Sequence, residues 1–127
     1  MNAMIFQYMC IIFQMMLNKG TYGGQQYLKP ETIALFTSKY SSVSRRGLGF
    51  DRWDPNPIKQ YPSKYASSQT FGHTGYTGTC VWVDPVKNLI YIFLSNRVHP
   101  KVTDKLSEMQ IRKRILDVVY KAIDKKD

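Results

Sequence analysis

The chain is 127 residues long, enough to bury one core and too short for two ordinary domains. Its hydrophobic fraction of 43% and aromatic fraction of 13% exclude a disordered polymer. A formal charge of +9 would suit a polyanionic partner, but the basic residues are scattered. They are dense only at Ser44-Arg45-Arg46-Gly47 and toward the carboxy terminus (Lys101, Lys105, Arg112, Lys113, Arg114, Lys121, Lys125, Lys126). Such runs read as a solvated basic face, and no nucleic-acid partner is expected.

In chain order, Met1 to Leu17 is an apolar helix. It lacks the basic start and small-residue cleavage site of a signal peptide, and it is short for a membrane span, with Gln7 and Gln14 inside it. Its less apolar positions, Ala3, Gln7, Cys10, Gln14 and Asn18, form one narrow stripe, so the rest predicts a buried helix with neighbours on most sides. Asn18-Lys19-Gly20 stops it, and Thr21-Tyr22-Gly23-Gly24 is a tight turn needing positive φ. A second helix runs from Pro30 to Thr37, with Pro at an early position and Ile33, Leu35 and Phe36 as its packing face.

Ser38 to Arg46 reads as loop, and Gly47 to Trp53 as a strand in which Leu48, Phe50 and the Arg52 stem alternate. Asp54 to Ser68, with Pro55, Pro57 and Pro62, is a long loop. The runs Gly78–Val83 and Leu89–Leu94 flank Asp84-Pro85-Val86-Lys87-Asn88, a hairpin turn with Asn placed for the left-handed region. Leu89–Leu94 is apolar on both faces, which predicts a central strand with helices covering the sheet. From Thr103 onward, Leu106, Met109, Arg112, Ile115, Leu116, Val119, Tyr120 and Ile123 recur at three and four, so a single amphipathic helix closes the chain, capped by Thr103 and Asp104.

Cys10 and Cys80 lie in apolar runs and form no metal or redox motif; whether they pair is open, and so is the compartment. No metal or cofactor is expected. The chemistry, if any, lies in Phe71-Gly72-His73-Thr74-Gly75-Tyr76-Thr77-Gly78-Thr79, where one imidazole and three threonine hydroxyls meet backbone N–H groups freed by glycine. Such a turn can hold an anion or oxyanion; by composition alone a strand connection whose glycines allow a tight crossing is the plainer reading.

The run GHTGYTGT, then a strand, a DP turn, an apolar strand and LSNRVHP, resembles the carboxy-terminal part of the serine β-lactamase and penicillin-binding-protein superfamily, in particular its class C-like and esterase-like members. The resemblance reaches back through GLGFDRW to QMMLNKGTYGGQQYLKPETIALFT and forward into the last helix. It implies an α+β fold, an antiparallel sheet flanked by helices. His73-Thr74-Gly75 then matches the Lys-Thr-Gly or His-Thr-Gly triplet on the strand edging the active site.

By that resemblance His73 stands where the usual lysine polarises the nucleophile or substrate, and Thr74 meets the substrate's carboxylate or leaving-group side. Gly75 and Tyr76 border the oxyanion, with the Tyr76 N–H as donor and its ring lining the pocket. The departures are equally specific. No serine has lysine three residues later, and Tyr-x-Asn, Ser-x-Asn and Gly-x-Ser-x-Gly are absent. The expectation is therefore one partial domain: the last third of a hydrolase, a truncated product or fragment lacking the amino-terminal strands and catalytic helical region, and inactive alone because an oxyanion donor activates nothing without a nucleophile and base. A β-lactam, peptide or ester substrate would belong to the complete protein. The alternative is a non-catalytic ligand- or partner-binding module. Exposed apolar surface on the first helix would favour self-association or the missing part as partner.

Overall fold

A computed structural model describes residues 3–125. The chain is α+β, an antiparallel four-stranded sheet with helices on both faces. Helix α1 (Ala3–Leu17) ends in a pair of bonds from Lys19 N–H to Met16 O and from Gly20 N–H to Met15 O, with Lys19 and Gly20 at positive φ. This is the helix stop read from Asn18-Lys19-Gly20. A small hairpin follows, β1 (Thr21–Tyr22) and β2 (Gln25–Gln26), turned by Gly23 and Gly24 at φ 58° and 79°. Two successive positive φ values match the right-handed twist of the strands they join.

Helix α2 (Pro30–Thr37) starts on proline as expected. Of its three apolar positions only Ile33 is buried, while Leu35 and Phe36 are exposed. At about 100° per residue, positions 33 and 35 stand on nearly opposite sides of a helix and cannot share a face. The predicted strand over 47–53 is shorter, β3 (Asp51–Arg52). Gly49 at φ 91° and the bond from Gly47 N–H to Phe50 O turn the chain before it can pleat. Residues 54–70 hold no helix or strand, as the prolines require.

The sheet then forms from β4 (Phe71–Thr74), β5 (Cys80–Asp84) and β6 (Leu89–Phe93) in the order β3-β4-β5-β6, all antiparallel. The hairpin between β5 and β6 is as read, with Asn88 at φ 48°. The central strand is not the predicted one. Every residue of β5 is buried, whereas β6 lies at the edge and is mostly half-buried. Uniform apolarity marks both strands, but only the pairing order decides which has neighbours on both sides.

The closing helix is broken in two, α3 (Lys105–Glu108) and α4 (Ile111–Asp124). Gln110 between them is left-handed at φ 50°. The first piece carries Leu106 against the turn near Gly78, and the second lays Leu116 and Tyr120 on the sheet. No single straight helix reaches both, so Met109 and Ile115 of the predicted apolar face are exposed.

The sheet divides two cores. On the α4 face, Cys80, Trp82 and Tyr91 pack with Leu116 and Tyr120; on the other, Phe71 and Val83 pack with Met16 and Ile33. Edge-to-face contacts from Phe50 to Phe13 and Phe71 extend the second core. Helix α1 departs from the expected burial: Met4 through Tyr8 are exposed, because the described residues include nothing that covers them. Cys10 and Cys80 are both free thiols, and burial pushes Cys80 up to about 11.

Buried carboxylates tie the layers together. Asp84, at the end of β5, accepts from the Ser67 hydroxyl and N–H, from the Tyr120 hydroxyl, and from the Val86 and Lys87 N–H groups. Asp51 takes a bidentate bond from Arg45 at 2.7 and 2.8 Å and another from the Tyr61 hydroxyl. Tyr61 in turn stands edge-on to Trp82 and beneath the Arg45 guanidinium.

Candidate functional site

Strand β4 carries the first two residues singled out. Its pairing is Phe71 with Val83, Gly72 with Trp82, His73 with Val81 and Thr74 with Cys80. Alternation along a strand sends Phe71 and His73 to the α1 face, and Gly72 and Thr74 to the α4 face. His73 is exposed beyond the second core. Thr74 instead lines a cleft of about 260 Å³ together with Trp82, Gln110, Arg112 and Leu116. Their backbones are adjacent, but their side chains face opposite ways and do not converge.

Gly72 shows why this strand needs its glycine. A Cβ there would meet the Val81 carbonyl oxygen and come within 2.7 Å of Trp82 Cε3. The indole crosses over the strand at this position, and only a bare α-carbon leaves room.

The His73 ring is fixed by a short local bond, Nδ1 to Thr74 O at 2.8 Å. A carbonyl oxygen only accepts, so Nδ1 donates this bond and Nε2 has no bond among the described residues. A ring so held leaves Nε2 for a further hydrogen bond.

The turn after β4 is closed internally. Gly75 N–H donates to Thr79 O at 2.8 Å, and Gly78 N–H donates to Gly75 O at 3.0 Å. A Cβ at Gly75 would run into the Thr79 hydroxyl, and Gly78 sits at φ 96° with Ser95 and Leu106 against it. The stretch from Phe71 to Thr79, read as one glycine-rich turn, is thus strand through Thr74 and turn beyond it, and Gly78 lies outside the strand predicted to begin there.

Tyr76 stands at the tip, exposed, with its N–H finding no acceptor among the described residues. Arg97 holds it there. The Arg97 Nε donates to Tyr76 O at 2.6 Å, its guanidinium stacks over the Tyr76 ring at 4.7 Å, and its own N–H donates to Thr77 O. The far end of the guanidinium bonds Thr103 O and Asp104. Sequence reading passed over Arg97, because a contact spanning 21 residues leaves no local pattern.

No serine hydroxyl bonds His73 among the described residues. The two serines that bond carboxylates, Ser63 to Asp117 and Ser67 to Asp84, are built into the scaffold. Asp84 lies four residues along β5 from Cys80, the partner of Thr74, which is about 13 Å away. Among the described residues no three His, Cys, Asp or Glu side chains gather as a metal site, and no helix is long and apolar enough to cross a membrane. What the arrangement offers is a polar wall: an exposed imidazole with Nδ1 bonded to Thr74 O, and a Tyr76 N–H that finds no acceptor among the described residues.

Residues 8–114 match the family described as Beta-lactamase. A protein of Escherichia coli K12 with the provisional name D-alanyl-D-alanine carboxypeptidase is 38% identical over 97 residues, 74% of this chain. A protein of the same provisional name from Salmonella gallinarum is 36% identical over 99 residues, 76% of this chain. In both cases the match covers 22% of the relative's length.

Proposed function

The chain belongs to the Beta-lactamase family, and from that premise we propose that it forms one wall of a serine acyl-transfer site as a single partial domain. In this reading the Tyr76 N–H donates to the oxyanion, and Gly75 allows the acyl group to approach the backbone. His73 Nε2 faces the reacting serine, supplied by polypeptide outside this chain. Thr74 acts through its backbone, since its side chain lies on the other face of the sheet. The observation that carries the reading is the Tyr76 N–H, left without an acceptor among the described residues on a turn closed by the Gly75 and Gly78 N–H bonds and clamped by Arg97. A donor fixed on such a turn can stabilise charge that develops in a transition state.

The complete site would take an acyl group from a β-lactam, a peptide or an ester. The relatives' provisional names favour a peptide ending in D-alanine. Alone, this chain is inactive, because His73 has no hydroxyl to deprotonate.

The test is a chimera in which the amino-terminal part of the Escherichia coli relative precedes this chain. It should hydrolyse nitrocefin or a p-nitrophenyl ester. Tyr76→Pro, which deletes the N–H, should lower kcat by about 10²–10³-fold, while Tyr76→Phe keeps most of the rate. An unchanged rate in the proline variant removes the oxyanion role. Turnover by the chain alone, lost in His73→Ala, overturns the inactivity.

A further inference from the structure

The cleft of about 260 Å³ beside Thr74 and Trp82 opens on the α4 face of the sheet. Lys59 of the long loop forms one side, and the elbow between α3 and α4, with Gln110, Arg112 and Lys113, forms the other. Its described lining holds three cations and no carboxylate. Positions 112, 113 and 116 fall within about 100° of a helix, with Leu116 between the other two. Leu116 is buried in one core with Trp82, so Arg112 and Lys113 flank it at the cleft, and both are half-buried.

These cations are under-used. Arg112 Nη1 donates to Gly78 O and Lys113 Nζ to Lys59 O, each at 3.4 Å, beyond the roughly 2.7–3.2 Å of a good N–H···O bond. Neither side chain joins an ion pair among the described residues. Lys59 does, at 3.3 Å, but with Asp54, a carboxylate that Arg45 also approaches. The first turn of α4 holds no acidic residue, although the dipole of a helix favours negative charge at that end. Positive charge is gathered there against preference, and an anion relieves it.

Size and polarity select the occupant. A sphere of this volume is about 8 Å across, too narrow for a helix about 10–12 Å wide with its side chains. It also lies under the roughly 300–1,000 Å³ of sites for drug-sized ligands. Bare apolar surface, which marks a contact with more polypeptide, lies instead on α1 across the sheet. The cleft therefore suits a small anion. A carboxylate presents two oxygens in one plane, whereas cations on opposite walls call for oxygens in several directions and for more than one negative charge.

We propose that this cleft binds a phosphate dianion, free or as a small phosphomonoester, between Lys59 on one wall and Arg112 and Lys113 on the other. The site is independent of the acyl-transfer reading, since His73 faces the α1 side of the sheet.

The test is titration of the ¹⁵N-labelled 127-residue chain with inorganic phosphate to about 20 mM, at about pH 7.5 and 50 mM chloride. Saturable shifts are expected at the Gln110, Arg112 and Lys113 amides and at the Trp82 indole, with a Kd of about 1 mM or tighter. Arg112→Met and Lys113→Met should each weaken binding about tenfold, and together abolish it. Lys29→Met with Lys125→Met removes the same charge from exposed positions elsewhere and should change affinity less than about twofold. Circular dichroism confirms that each variant is folded, and the parent titration decides the matter without them. Glycerol 2-phosphate binding more tightly than inorganic phosphate assigns the site to an ester, and the reverse order to the free ion. The proposal is overturned by the absence of saturation at these positions, by an equal loss in the two paired variants, or by tighter binding of D-alanyl-D-alanine, a carboxylate, at the same residues. The chimera described above is expected to bind phosphate as the chain does. Loss of binding there overturns the proposal too, because the amino-terminal polypeptide would then occupy the cleft.

Discussion

At the residue scale, the polar triplet shows how much a single backbone step changes. His73 and Thr74 are neighbours in sequence and lie on opposite faces of one sheet, so side chains read as a unit in the sequence are separated in space. The strand that separates them depends on Gly72. Gly72→Ala should cost about 2–3 kcal/mol in urea unfolding, because neither the Val81 carbonyl nor the Trp82 ring can retreat without moving the core. A loss below about 0.5 kcal/mol, the ordinary surface value, would mean the indole is free to swing aside. The family itself was legible through the resemblance of GHTGYTGT and its flanking strands. The clamp from Arg97 was not, since it joins β4's turn to Thr103 and Asp104 through contacts that exist only after folding.

At the element scale, the readable features were those with a local cause. The hairpin turn, the helix stop at Lys19-Gly20 and the proline start of α2 follow from backbone preferences of single residues. The break at Gln110 has no such signal, because glutamine has no taste for the left-handed region and is held there by what Leu106 and Leu116 must reach on either side. The exchange of rank between β5 and β6 has the same origin. Asp84 reads in sequence as a turn residue, yet it joins three elements. Burial alone would raise its carboxyl, but the bonds from the Ser67 side chain and N–H, the Tyr120 hydroxyl and the Lys87 N–H outweigh that and hold it below the ordinary range. Asp51 behaves alike, burial being outweighed by the bond from Arg45 and the N–H of Arg52. Both are more acidic folded than unfolded. Their stabilisation is therefore fully present above the unfolded value near 4 and is lost as pH falls through the folded values. Chemical denaturation from pH 6 downward should show stability falling in that window. Asp84→Asn should lower stability by about 3 kcal/mol at pH 7, because one of its donors then faces an amide NH2, and should flatten the acid limb. A variant with the same acid limb as the parent would remove Asp84 from the account.

At the scale of the whole molecule, the sheet is guarded at one edge and bare at the other, and helix α1 is apolar yet half-covered. The fold class was legible because helices and strands announce themselves locally, whereas the exposure of α1 is not decided by its own apolar pattern. The Asp84 to Tyr120 bond, 2.8 Å across 36 residues of chain, also bears on how the protein is made. At about 5–20 residues per second, the ribosome adds Tyr120 about 2–7 s after Asp84. Until then the Asp84 carboxylate lacks its last donor, so the hairpin that carries it cannot reach its folded burial before the closing helix has been made.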